Sequence, residues 1–359
     1  MFDDTLFDDP ARLADSDSRG LLRSAALAGA QVRAAVESAD ELDWEDLSES
    51  QPRALVLIAR PGVGRGVCRL LAELLGPSCP VPVVVTESAP TWIGPLDVVF
   101  AHADDPGDAQ LAESIATVTR RGATAVLSVP PEGPVAAAAA GRAKLVASKV
   151  PVPTELMFAH AFTVGLVLLV SLGLLRVDTG LLADELDREA ERAHPSHELM
   201  MNPAKSLAMR LAERTPLLWG LDPISTAVAE HGSFALGCHA GVPSDVAAYS
   251  QAVARRELHR VAAGIGSEAD LFADPEDSAG ANARVFLLSA RYDSHAEAGE
   301  RAAVQALPGA DMVTPGESVR DDAVVRAALL ALRFDLASVY LGLATGTLTG
   351  PGWSSLAAR

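Results

Sequence analysis

The chain has 359 residues, 49% hydrophobic and 21% charged, with aromatic residues at 4% and a formal net charge of -18. That composition describes a globular protein, and the length suggests two domains whose cores are packed mainly by Ala, Val and Leu. With only three Lys and no basic cluster, the acidic chain argues against nucleic acid and anionic membranes as partners, because both are held by Lys and Arg displacing counterions.

The start, "MFDDTLFDDPARL", is acidic where an export signal needs a basic stretch and then an apolar core. Residues 1–50 carry acidic caps and apolar positions at helical spacing, so an N-terminal helical segment is expected there. Cys68, Cys79 and Cys238 are too few and too scattered for a disulfide framework and form no CxxC pair. Reduced thiols in a cytoplasmic protein are the expectation, with no metal and no cofactor.

From residue 51 the elements alternate. "ALVLIA" (54–59) is a buried-strand pattern, followed by the Gly-rich "RPGVGRG" and the helix "VCRLLAELLG". Further strands are expected at 81–88, 96–103 and 123–130, with the helix "AQLAESIATVTRRG" before the last of these. A short helix and a final strand follow in "AAAAAGRAKLVAS". Residues 156–175 have about the length needed to cross a bilayer. His160 and Thr163 lie inside them and no basic belt flanks them, so a helix buried on all sides is expected.

A charged helical stretch broken near Pro195 and Pro203 comes next, and then the alternation returns. "PLLWGL", "ARVFLLSA" (283–290) and "ADMVTP" read as strands, "DPISTAVAEHGSFALG" and "AEAGERAAVQAL" as helices, and "AVVRAALLALRFDLASVYLGLATG" as a long apolar helix. The expected organisation is a helical segment over 1–50, a first domain over 51–180, a helical connector over 181–215, and a second domain with its C-terminal helix over 216–359. Each domain is read as α/β, a mainly parallel sheet flanked by helices in three layers, with ligands expected at the carboxyl ends of the strands.

In this order the chain resembles the bifunctional phosphoglucose/phosphomannose isomerase family, built from two sugar isomerase (SIS) domains. "LVLIARPGVGRG" stands where that family has its "GGSxxG" loop, and "VPVVVTESAPTWIGPLDVVFAH" is similar to its strand, "P-x-W" turn and following strand. "RRGATAVLSV" looks like the family's "rGA-x-V-x-x-I" strand. "FDLASVYLGLATG" is the most specific match, with Asp335, Ser338, Tyr340 and Leu341 in register with "gDxxSvYLAll". The resemblance implies two SIS domains, a homodimer and aldose-ketose isomerisation of a sugar phosphate. A carboxylate would move the proton, a His would assist ring opening, and hydroxyls and backbone N–H groups would hold the phosphate.

The residues at the matching positions differ from that scheme. The phosphate loop, "S-x-S-G-N-T-x-E" in the family, reads Ala101 to Asp108 here, so Ala101, Ala103 and Pro106 stand where Ser and Thr hydroxyls are wanted and the loop carries His102, Asp104, Asp105 and Asp108 instead. A carboxylate 4 Å from a phosphate charge repels it by about 4 kcal/mol at an effective dielectric of 20. In the Gly-rich loop Pro61 removes a backbone donor, while Gly62, Gly64 and Gly66 keep the turn permissive and Arg65 offers a compensating charge. The catalytic base region, "L-N-E-N-A-K-x-P", aligns so that Cys238 takes the place of Glu and His239 that of the second Asn. A thiol is a poor base at neutral pH without a nearby cation, and packing is the plainer role for Cys238. The stretch expected to hold the ring-opening His, "SEADLFADPEDSAG", has none, and "VPVPTELMFAH" lacks the family's Arg. His259 is the nearest substitute and reads as a surface residue.

Two functions follow. One is a non-catalytic SIS-fold protein that binds a sugar phosphate or an unidentified protein partner in a regulatory role. The other is an active isomerase of glucose 6-phosphate or mannose 6-phosphate. Replacement of phosphate hydroxyls, Arg, Glu and His together favours the first. The three Asp of the loop also admit a divalent cation, but helix capping accounts for them more simply.

Overall fold

The computed structural model describes residues 2–48, 51–139, 141, 143–263, 283–316 and 322–348. Helices α1 (Pro10–Ser16), α2 (Leu21–Ala26), α3 (Ala28–Asp40) and α4 (Glu45–Ser48) precede β1 (Ala54–Ala59) and α5 (Val63–Leu75). There follow β2 (Val83–Thr86), β3 (Asp97–His102), α6 (Ala109–Arg120), β4 (Thr124–Ser128), α7 (Pro134–Ala139) and β5 (Ala143–Leu145). Next come α8 (Phe158–Ser171), α9 (Thr179–Arg192), α10 (Pro203–Leu211), β6 (Thr215–Gly220), α11 (Pro223–Ala235) and β7 (Asp245–Ala248). The remaining described elements are α12 (Tyr249–Ala254), α13 (Arg256–Ala262), β8 (Ala283–Leu288), α14 (Ser294–Ala306), β9 (Asp311–Val313) and α15 (Ala323–Ala344). Two compact units result: residues 24–190 form the first, and residues 1–23 with 191–359 the second.

In the first unit five parallel strands lie in the order β2-β1-β3-β4-β5. All six residues of β1 and of β3 are buried, as a central strand covered by helices on both faces requires. Chain direction across the sheet reverses between β1 and β3, which leaves a crevice at their carboxyl ends. The expected buried helix is α8, packed on α3 and α5. It is shorter than the apolar stretch that announced it, because the helix closes at Leu172 where two carbonyls share one N–H.

The second unit holds four parallel strands in the order β7-β6-β8-β9, with the corresponding reversal between β6 and β8. Strand β7 is an addition to the sequence reading. It has four residues, "DVAA", mostly half-buried, and owes its conformation to its ladder with β6 and not to an apolar run. The 22-residue α15 is apolar and long enough to cross a bilayer, yet 94% of its most apolar window is buried within the protein. Its signature residues are packing residues. Asp335 accepts a hydrogen bond at 2.8 Å from His231 of α11, and the Tyr340 hydroxyl donates to the Ala193 carbonyl at 2.7 Å.

His259 is a correction. It is half-buried, its ring stacked on Trp219 at 6.1 Å and 7° and tilted against Tyr249, so α13 closes over β6 through aromatic contact and does not present that imidazole to solvent. The stretch "SEADLFADPEDSAG" lies outside the described residues.

Candidate functional site

The acidic loop and the Gly-rich loop meet at the β1/β3 crevice of the first unit. Gly62 precedes α5 with φ 89° and ψ -150°, a region open almost only to glycine. That geometry brings the Val63 N–H onto the Asp104 carboxylate at 3.2 Å. A Cβ on Gly62 would lie 2.0 Å from Asp104 Oδ2, and one on Gly64 would lie 2.7 Å from the His102 carbonyl. The carboxylate thus occupies the helix N-terminus, the position where backbone N–H groups and the helix dipole otherwise hold a phosphate.

The other loop carboxylates are also engaged from within. Asp104 Oδ1 lies 2.8 Å from Nε2 of the buried His102, whose Nδ1 is 2.7 Å from the Ser128 carbonyl and 2.9 Å from its hydroxyl. Asp105 accepts from the Gly107 N–H at 2.7 Å. Asp108 caps α6 through the Leu111 N–H and forms a two-pronged ion pair with Arg60, at 2.6 and 3.1 Å. Burial opposes the charge of Asp108, but the Arg60 guanidinium and the Leu111 N–H outweigh it, so its pKa falls below the ordinary carboxylate value. Arg60 also donates to the Glu87 carbonyl and to Gln110, at 3.0 Å each.

Arg60 therefore supplies the cation that the sequence reading sought in Arg65. The signal was available: Arg60 ends a wholly apolar strand, where a charge needs a partner from the loop alongside. Arg65 is exposed on α5, and Gly66 is buried one residue further on. Among the described residues no group of three or more His, Cys, Asp or Glu has the arrangement of a metal site.

Cys238 and His239 belong to the second unit. They lie on a π-helical turn, Leu236–Ala240, that continues α11 and ends at Gly241 in the left-handed conformation. Cys238 is half-buried and His239 is 1% exposed. The second unit also carries a feature that the sequence reading did not single out. Between the carboxyl ends of β6 and β8 lies a cleft of about 400 Å³ whose lining includes Tyr249, Ser289 and Arg291.

No family model matches the sequence, and no curated protein is similar to it. Solved structures are similar over nearly the whole chain. A proposed phosphosugar isomerase from Silicibacter pomeroyi DSS-3 is 16% identical, with 91% of this chain and 98% of that one covered and a TM-score of 0.62. Tagatose-6-phosphate ketose/aldose isomerase from Escherichia coli is 8% identical, with 91% of each chain covered and a TM-score of 0.61. The C-terminal domain of glucosamine-fructose-6-phosphate aminotransferase from Francisella tularensis is 9% identical, with 92% and 98% covered and a TM-score of 0.60. Such identities define the fold alone: the chain is an α/β protein of two SIS-type domains, each a parallel sheet between helices.

Proposed function

We propose that this chain is a non-catalytic SIS-fold protein with a binding or regulatory role in carbohydrate metabolism, a divergent relation of the phosphoglucose/phosphomannose isomerases. The observation that carries this reading is the Asp104 carboxylate seated on the Val63 N–H. A phosphate entering that crevice would have to displace a carboxylate that His102 also holds. Replacement of the family's Glu by Cys238 points the same way, since the thiol of an ordinary cysteine is largely protonated at neutral pH and removes a carbon-bound proton poorly.

The expected result of coupled assays with glucose 6-phosphate and mannose 6-phosphate is no turnover above background. Turnover that disappears in Cys238→Ala would establish the isomerase reading instead. The same preparation should show no thermal stabilisation by inorganic phosphate, because its first-unit helix terminus already holds a carboxylate.

A further inference from the structure

The second unit has the corresponding strand-order reversal between β6 and β8. Its reversal point is open, and the cleft there has the size of a small-molecule site, for which about 300–1,000 Å³ is usual. Leu221 and Pro223 supply apolar surface where the chain passes from β6 into α11. Ala296, Gly299 and Ala302, three residues apart on α14, share one helix face and form a wall of small groups. A Cβ on Gly299 would meet nothing within 4 Å, so the open volume reaches the helix backbone. Tyr249, at the start of α12, adds an aromatic ring.

The polar groups are of both kinds. Asp222 caps α11: its carboxylate accepts from the Ser225 N–H at 2.9 Å, the Ser225 hydroxyl at 2.6 Å and the Ala290 N–H at 3.2 Å. Here too an internal carboxylate takes the helix N-terminal place a phosphate would need. Asp293 caps α14 through the Ala296 N–H at 2.8 Å. The buried Ser289 hydroxyl donates to the Arg291 carbonyl at 3.4 Å and keeps lone pairs for accepting, and the exposed Arg291 has no ion pair among the described residues. Arg326 also interacts with Asp222, so the charges do not decide the ligand by count; both carboxylates already hold helix N-termini, which leaves a phosphate dianion no free helix terminus in the cleft. Donors and acceptors set around apolar and aromatic surface suit a ligand that carries many hydroxyls on a C–H framework.

Building on the binding-protein reading above, we propose that this cleft holds an unphosphorylated, hexose-sized polyhydroxyl ligand. Arg291 donates to its oxygens, Ser289 and Asp293 accept from its hydroxyls, and Tyr249 lies against its C–H face. The ligand makes no use of the β1/β3 crevice of the other unit.

The test is calorimetric and ligand-observed NMR titration of the full chain with glucose, mannose and glucosamine, each beside its 6-phosphate. At least one parent sugar should bind saturably and more tightly than its 6-phosphate. Gly299→Leu, which fills the cleft from a helix position that tolerates Leu better than Gly, should weaken that binding at least about tenfold. Gly299→Ser, which leaves most of the volume open, should weaken it far less. Matching circular dichroism and melting curves establish that both variants fold. The proposal is overturned if no parent sugar binds, if a 6-phosphate binds more tightly than its parent, or if Gly299→Leu binds as the wild type does. Isomerase turnover without any of these outcomes overturns the non-catalytic reading alone.

Discussion

Gly62→Ala is expected to destabilise the first unit by about 4 kcal/mol. Two costs add. At φ 89° and ψ -150° an alanine backbone is strained by about 1–3 kcal/mol. Its Cβ would also sit 2.0 Å from Asp104 Oδ2, so the carboxylate must withdraw from the Val63 N–H and from His102, at a further cost of about 1–3 kcal/mol. Asp104→Ala alone should cost about 2 kcal/mol, from the lost cap and the partners left unsatisfied. Because the clash requires both groups, the double variant should be less destabilised than the sum of the single ones, by about 1–2 kcal/mol. Urea unfolding of the four proteins measures this directly, and strict additivity would show that Asp104 does not fill the space above Gly62. Asp104→Ala should gain something as well. Its vacated helix terminus becomes an anion site, so added phosphate should raise its Tm and leave the wild type unmoved.

The second large effect is acid sensitivity from His160. This histidine is 1% exposed on α8. Its Nε2 donates to the Val146 carbonyl at 3.2 Å, and its Nδ1 has no partner among the described residues. Burial first, and repulsion from His102 second, lower its pKa from 6.5 to about 4. Between those two values the unfolded chain binds the proton and the native chain does not, so stability falls as pH drops from 6.5 towards 4 and this contribution stays lost below 4. The full loss is about 3 kcal/mol, equivalent to a fall on the order of 10 °C in the Tm of a unit this size. His160→Leu should flatten the dependence over that window, whatever its effect at neutral pH. Melting curves from pH 7 to pH 4 decide it: parallel profiles for variant and wild type would show that another group accounts for the acid loss. Asp108 adds a smaller loss at lower pH, because its depressed pKa contributes stability only while the carboxyl stays ionised.

Much of the fold was legible along the chain. The runs "ALVLIA" and "DVVFAH" announced β1 and β3 because a doubly covered strand must be apolar throughout. The break expected near Pro203 falls at the start of α10, where the proline takes the first helical turn and the Asn202 side chain caps it. Strand β7 was not legible, because "DVAA" has neither an apolar run nor strong alternation and is extended only where β6 offers it a ladder. His259 was misread for a related reason: the charged neighbours in "RRELHRV" describe the exposed face of α13, and the stacking partner Trp219 lies on another element.

For the acidic loop the sequence supplied the composition and the structure supplied the use. A loop with no Ser or Thr and with three Asp was enough to say that the ordinary phosphate loop had changed, since like charges repel at any arrangement of the chain. That Asp104 is itself the anion on α5, and that Asp108 is neutralised by Arg60, depended on groups 41 and 48 residues earlier being brought within hydrogen-bond reach. The open cleft of the second unit was likewise a product of folding, because its lining comes from residues 221 to 302 and no local pattern links them. Local pattern determined strands, helices and the two-domain α/β order, because each follows from a period of a few residues. Only the tertiary structure decided which side chains meet at each reversal point, because that depends on where a few side chains end up in space.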